Sequence, residues 1–447
     1  MFFFDNPTAA GKLAAILLSS SVSFNALASP EAPDTNGPAP LPIHRPGHQQ
    51  PAVAGNRLTL QQALARTLTG NPDLAAFSEE VRAQEALALQ AGLFPNPVFG
   101  ASAANFANSA AKGFDGDAVT LQLSQLIELG GKRAARIQVA EAGREVANWA
   151  YEIKRVTVLA SAAQAFIEVL GAQARTDLAR HSQQLAQQVV DTVGNQVKAG
   201  KVSPIEETRV AVALATTQSE MLRTERELEA AKKKLAAYWG STKPEFSTVR
   251  GDLEAIKTLP SLQSLTDRLT QSPELSRWAS ELSQQQALVQ SEKTKAIPDL
   301  TVTFGGSNYL ANQDYVVNVG VSLPLPVFDR NQGNIQAAER RHSKTADELQ
   351  SAEVRVGTEL NTTYLNLDAV RAEIETFRLT ILPQAASAYQ AVQKGYRLGK
   401  FALLDVLDTQ RTLFNAKGQY LRALVAYHQN LADLERLIGG AVNEDLK

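Results

Sequence analysis

The amino-acid sequence predicts a mainly α-helical protomer with a small β part, in which one unit is made twice over. Three observations carry that prediction. Segments recur at a fixed offset: VTLQLSQLIELGGKRAARIQVAE (119–141) aligns without gaps on VNVGVSLPLPVFDRNQGNIQAAE (317–339), 198 residues further along. Each copy holds a helical stretch far longer than an ordinary globular domain uses. Each also holds two short segments in which apolar and polar residues alternate, the period of a strand.

Near its start the chain has Lys12 followed by the apolar, small-residue run 13–28, which ends in Ala26-Leu27-Ala28. This predicts a cleaved export signal over 1–28, with Ser29 as the first mature residue, since the run is short for a span of ~20 residues. Residues 29–56 carry Pro30, Pro33, Pro38, Pro40, Pro42, Pro46 and Pro51 and predict an extended linker. His44 and His48 lie in this linker, where a metal site would lack preorganised ligands, so they are taken as surface residues.

The first copy spans 57–240 and the second 258–440, joined by 241–257 and followed by a tail, 441–447. Asn71-Pro72-Asp73-Leu74 returns as Ser272-Pro273-Glu274-Leu275, and Gly200-Lys201 returns as Gly399-Lys400. Residues 58–91 and 261–296 predict helix, with Leu60, Leu64, Leu68 and Leu262, Leu265, Leu269 at helical spacing. Strands follow around 97–107, 119–123, 300–305 and 317–323, joined by turn-rich loops at 108–116 and 308–314 into one hairpin per copy. Only four strands are expected. From Lys132 to Lys198 there is no proline, and at ~1.5 Å per residue such a helix reaches ~100 Å. Its counterpart, about 331–398, contains Pro383, where a kink is expected. Both helices have a basic residue in the last turn (Lys198, Arg397) and, two residues on, a glycine suited to the left-handed cap (Gly200, Gly399). The returning helix of copy one opens Ser203-Pro204-Ile205-Glu206, the pattern of a capping box.

Composition excludes several functions. The chain of 447 residues has no Cys, which removes disulfides, thiolate metal sites, a cysteine nucleophile and a lipidated N-terminal cysteine. With 44 basic and 46 acidic residues the formal charge is −2, so nucleic acid is not an expected partner. Gly130-Gly131-Lys132-Arg133 lacks the leading glycine and the Ser/Thr of a phosphate loop. His181, His342 and His428 have no second ligand at metal spacing, and no catalytic constellation is found, so neither enzyme, cofactor nor metal site is predicted. Four strands cannot close a barrel, whose smallest forms need ~8, whereas three chains supply twelve. A membrane crossing by this chain is therefore a shared β-barrel.

The duplicated order of helix, hairpin, long helix, tip turn and helix over about 57–440 resembles the TolC family of trimeric outer-membrane efflux channels. Glu128-Leu129-Gly130-Gly131-Lys132-Arg133 and the run from Pro324 to Asn334 (PLPVFDRNQGN) look like the strand-to-helix junctions of its cobalt-zinc-cadmium branch. Tyr396-Arg397-Leu398-Gly399-Lys400 and Leu404-Asp405-Val406-Leu407-Asp408 look like its periplasmic tip. The resemblance implies an outer-membrane location in a Gram-negative bacterium and a homotrimer with a 12-stranded barrel set in lipid, above a helical tunnel. It further implies an adaptor (membrane fusion protein) and an inner-membrane RND pump as partners, with divalent heavy-metal cations as cargo. Multidrug export or type I secretion is the alternative within the family. A soluble periplasmic coiled-coil adaptor or scaffold is the alternative outside it, disfavoured by the four amphipathic strands and the duplication.

By the same resemblance Asp405, Asp408 and Tyr396 form the pore constriction. Asp405 and Asp408 share a helix face, and threefold symmetry brings six carboxylates to the axis, although an acid in a first helical turn is also favoured by the macrodipole. The basic partner that the family gives Tyr396 falls at Phe401, beside Lys400. Gly200, Lys201, Ser203, Gly399 and Lys400 are the expected adaptor-docking tip. Glu206 and Glu207 are secondary tip acids, with capping the expected role of Glu206.

Overall fold

The computed structural model describes residues 57–104, 118–309 and 314–442. The export signal, the proline-rich linker with His44 and His48, and the loop 108–116 lie outside the described residues. In the first half β1 (Arg57–Thr59), α1 (Leu60–Gly70), α2 (Pro72–Ala91), β2 (Val98–Ala104) and β3 (Ala118–Ile127) lead into α3 (Lys132–Lys198) and α4 (Pro204–Ala237). The second half runs β4 (Thr248–Arg250), α5 (Leu262–Leu269), α6 (Pro273–Lys295), β5 (Leu300–Tyr309), β6 (Asp314–Ser322), α7 (Gln332–Thr376), α8 (Leu382–Arg397) and α9 (Leu403–Ile438). The same order of elements thus occurs in both halves, with the long helix of the second interrupted between α7 and α8.

Several elements differ from expectation. Neither 58–91 nor 261–296 is one helix. Each breaks where an N-cap and an N1 proline start a new one: the Asn71 side chain accepts from the Leu74 N–H at 3.0 Å, and Ser272 does the same for Leu275. The leucine stripe of α1 is also not its buried face. Leu60 and Leu68 are exposed, and Ala63, Arg66 and Thr67 are buried instead, with Arg66 lying over the Trp239 ring. In copy two the stripe does face inward, with Leu265 and Leu269 buried. Asn308 belongs to β5, opposite Tyr315, and not to a loop. Pro383 is preceded by a five-residue π-helical turn, Phe377–Ile381, in which the Leu382 N–H reaches the Phe377 carbonyl. The extra residue relieves the clash that the proline ring would make with the preceding turn.

Six strands are described where four were expected. β1 and β4 form a parallel pair that matches Leu58 with Val249. On the other edge of β4 the Gln173 amide imitates a third strand, accepting from the Val249 N–H at 2.7 Å and donating to its carbonyl at 3.1 Å. Three-residue strands carry no readable alternation, and this pair joins segments about 190 residues apart in sequence.

Around this pair the helices share their main core. Leu58, Phe166, Val169, Leu235, Trp239, Phe246 and Val249 form one cluster; Val356, Leu360, Leu367, Leu424, Tyr427, Leu434 and others form a second. Close approach is built in at Gly171, where a Cβ would lie 2.4 Å from Val425 Cγ2. The inter-repeat segment is fastened to the helices by side chains. Tyr427 Oη accepts from the Lys257 N–H at 3.1 Å and donates to the Lys257 carbonyl at 3.0 Å. Tyr364 donates to the Pro260 carbonyl at 3.3 Å, His428 Nε2 lies 3.0 Å from the Leu253 carbonyl, and Tyr420 donates to Glu254. We call this region the belt.

The four longer strands form one antiparallel sheet in the order β2-β3-β5-β6. Both outer edges, on β2 and β6, have no strand partner among the described residues.

Candidate functional site

Two regions carry the features that a channel needs, the sheet and the helical tips. The register sorts the sheet into two unlike faces. Phe99, Leu123, Phe304 and Val319 stand in one cross-strand row, with Leu121 and Val317 in the next, all exposed. The opposite face is mostly polar or small, with Val98, Leu126 and Val316 as its larger apolar members. Thr120 Oγ1 and Ser307 Oγ are 2.8 Å apart, Ser124 Oγ and Thr303 Oγ1 3.1 Å, and Asn318 donates to Ser307 at 2.6 Å. Gly305 stands on that face where a Cβ would lie 2.6 Å from the Leu121 carbonyl. An exposed apolar face backed by satisfied hydroxyls is what a lipid-facing barrel wall needs, the apolar side meeting acyl chains and the polar side water.

At the far ends of the long helices the chain turns twice in the same way. Gly200 (φ 68°) and Gly399 (φ 74°) are left-handed. Gly200 N–H donates to the Val197 carbonyl and Lys201 N–H to that of Gln196; Gly399 N–H donates to Tyr396 and Lys400 N–H to Gly395, each at 2.8–2.9 Å. These are two Schellman turns, each satisfying two carbonyls that the helix end would leave open.

The helices that leave the turns start differently. Asp405 accepts from the Ala402 N–H at 2.9 Å, one half of a capping box. The capping box expected of Ser203 and Glu206 does not form: Ser203 makes no side-chain cap, and Glu206 instead accepts from Arg209 at 2.9 Å. Its second oxygen, Oε2, is buried without a hydrogen bond. The Glu206 N–H donates to the Ser203 carbonyl at 3.0 Å in place of its hydroxyl, and the i, i+3 ion pair takes the carboxylate. Glu207 is exposed on the same turn. Asp408 accepts from Arg411 at 2.9 Å, and both side chains are mostly exposed. Both candidate gate acids therefore have local partners within the protomer, and both remain at the surface.

Tyr396 stands between two small apolar clusters. One holds Val193, Val210 and Leu403; the other holds Tyr389, Val406 and Leu413. Its hydroxyl donates to Gln196 Oε1 at 2.9 Å, linking the two tip hairpins. The partner is thus neither Phe401 nor Lys400. The Phe401 ring instead lies over Gly395, where a Cβ would be 2.3 Å from Phe401 Cδ2. Burial, and secondarily the negative charge of Glu206, raises the Tyr396 hydroxyl above the usual phenol pKa, so it stays a donor at neutral pH. Gln196 was not singled out in sequence. Its signal is the apolar face of α3, where Val189 and Val193 lead to Gln196 at i, i+4 and i+7.

Gly200, Lys201, Ser203, Gly399 and Lys400 are all exposed at these turns. Among the described residues no group of three or more His, Asp or Glu is placed to hold a metal ion.

Comparison with known proteins fits these features. The family described as "Outer membrane efflux protein" matches residues 60–241 and again 265–440. The cobalt-zinc-cadmium resistance protein CzcC of Cupriavidus metallidurans is 36% identical over 390 residues, 87% of this chain and 92% of its own. The nickel-cobalt-cadmium resistance protein NccC of Alcaligenes xylosoxydans is 27% identical over 73% of this chain and 69% of its own. Among solved structures, CusC superposes with a TM-score of 0.73 at 18% identity, covering 87% of this chain and 93% of that one. The outer-membrane channel OprN superposes with 0.73 at 20% identity, over 86% and 90%. With two matches spanning both halves, a relative above 30% identity and a shared fold, the chain belongs to the outer membrane efflux protein family.

Proposed function

We propose that this chain is the outer-membrane exit duct of a tripartite exporter of divalent heavy-metal cations. The 36% identity to CzcC over nearly the whole of both chains carries the choice of cargo. The chain itself catalyses nothing in this reading. Three copies pair β6 of one with β2 of the next and close twelve strands, which removes the two open edges and sets the apolar face in lipid. The signal 1–28 directs export, and with no cysteine to acylate the barrel alone anchors the protein. Residues 57–240 and 258–440 are two copies of one unit, joined by 241–257. The tips meet an adaptor and an inner-membrane RND pump, which supplies the energy.

Asp405 and Asp408 line the constriction as an electrostatic filter for cations, and the Tyr396–Gln196 bond holds the tips closed. Asp405→Ala/Asp408→Ala protein in planar bilayers tests the filter: loss of cation preference is expected, and unchanged conductance and selectivity would sink it. Deleting the gene tests the cargo. Lost tolerance to cobalt, zinc or cadmium, restored by a plasmid copy, is expected; unchanged metal tolerance with lost drug or protein export would overturn it.

A further inference from the structure

The two tips share a backbone but not a surface. Residues 199 positions apart correspond: Lys198 with Arg397, Ala199 with Leu398, Lys201 with Lys400, Val202 with Phe401 and Ile205 with Leu404. Both glycines are thus flanked by the same pair of exposed cations, and among the described residues none of the four makes an ion pair. Lys198 and Arg397 have a local reason to be there, since a cation in a last helical turn is favoured by the dipole. Lys201 and Lys400 have none. They occupy the Schellman position that ordinarily carries an apolar side chain folded back on the helix, and two residues later a new helix begins with its positive end. Both tips therefore forgo a packing contact in favour of an exposed charge.

The apolar complement differs. In tip one Val202 packs into the cluster around Val193 and leaves Ile205 exposed. Tip two presents three large apolar side chains, Leu398 at 65%, Phe401 at 46% and Leu404 at 62% exposure. Phe401 is also braced from below by its contact with Gly395. A braced aromatic beside an exposed leucine is a preorganised apolar contact, and the cations form its rim.

The geometry points to a docking surface for a protein whose own exposed turn carries carboxylates flanked by apolar residues. Carboxylates meet Lys201 and Lys400 at every tip, and the apolar residues seat only on tip two, which is the anchor. This rests on the adaptor-docking reading above and extends it to the partner's charge and to the inequality of the tips. An acidic partner follows from complementarity, because unpaired cations steer carboxylates and repel a basic surface.

The probe is a designed soluble helical hairpin with two glutamates and two leucines at its turn, and a twin with lysines in place of the glutamates. Binding to the full-length protein in detergent is measured at about 50 mM and about 300 mM salt, where screening of exposed charges differs strongly. The acidic hairpin is expected to bind about tenfold more tightly than its twin at low salt and to lose most of that advantage at high salt. Lys201→Glu/Lys400→Glu should reverse the preference. Leu398→Ala/Phe401→Ala should weaken binding several-fold, and Ile205→Ala should leave it nearly unchanged. Equal binding of the two hairpins, or an unchanged preference after charge reversal, overturns the inference, as does binding only to vesicles of anionic phospholipid. Planar-bilayer conductance of the Lys201→Glu/Lys400→Glu protein separates the two readings. A conducting channel indifferent to hairpin charge refutes the docking surface alone, whereas protein that forms no channel in either version refutes the duct beneath it.

Discussion

The belt and the tips are made from the same two helical hairpins yet are held together in different ways. At the belt, two large clusters meet at Leu170, one of them holding Leu58 and Val249 of the parallel strand pair, and Tyr364, Tyr420, Tyr427 and His428 tie down the inter-repeat segment. At the tips, each cluster has three buried residues, and among the described residues one side-chain hydrogen bond, Tyr396 to Gln196, joins the hairpins. The difference teaches where the molecule can change aperture at low cost. Separating the tips breaks little apolar contact, whereas separating the belt exposes a core.

The largest expected effect comes from the belt. Leu434→Ala removes a fully buried side chain from the larger cluster and is expected to destabilise by ~2–5 kcal/mol in thermal or denaturant unfolding. Val210→Ala at the tip removes two methyl groups from a cluster that can collapse, for ~1.5 kcal/mol. Equal losses at the two sites would break the comparison. Next is Tyr427→Phe, which leaves the backbone N–H and carbonyl of Lys257 without their partner, at ~1–3 kcal/mol.

Tyr396→Phe removes the hydrogen bond between the tip hairpins and is expected to weaken their contact by ~1 kcal/mol, with no measurable change in the belt's unfolding but a higher open probability in planar bilayers. Gln196→Leu should reproduce it; a stability loss without a conductance change would make Tyr396 a packing residue only. Within the tips, Asp405→Ala should cost ~1 kcal/mol through the lost cap, and Glu206→Ala ~0.5 kcal/mol through a partly exposed ion pair.

The smallest effect is a pH dependence. Burial lowers the His428 pKa, and Lys257 adds to the lowering, against the Leu253 carbonyl and Asp252, which raise it. The folded value lies below the unfolded one, so this contribution to stability is present above about pH 6.5 and is lost as pH falls through that range. The wild-type unfolding midpoint should fall between about pH 7 and pH 5 more steeply than that of His428→Gln. Tyr420, pushed up to about 12 by burial and its bond to Glu254, stays protonated throughout and supplies no competing titration.

Much of the architecture was legible because local rules and periodicity decide it. A proline-free run from Lys132, ended by Gly200 two residues after Lys198, matches α3. The alternation of 317–323 places Val317, Val319 and Val321 on one face of β6. The site was legible in its backbone and less so in its bonds. Gly200 and Gly399 take the left-handed cap as their spacing requires, but Glu206 turns to Arg209 in place of Ser203, and Tyr396 finds Gln196 on a helix 200 residues away. Neither partner lies in the short motif that singled out the residue.

By itself the sequence determined the period of each segment, the helix ends and the duplication, since these depend on neighbours within a few residues and on comparison of the chain with itself. Only the tertiary structure decided which face of α1 is buried, that β1 and β4 pair, and which groups the tip side chains meet. Each of these depends on what a distant segment offers at the point of contact. The two tips show the division most plainly: local sequence gives both the same turn, and packing against Val193 hides Val202 where Phe401, resting on Gly395, stays at the surface.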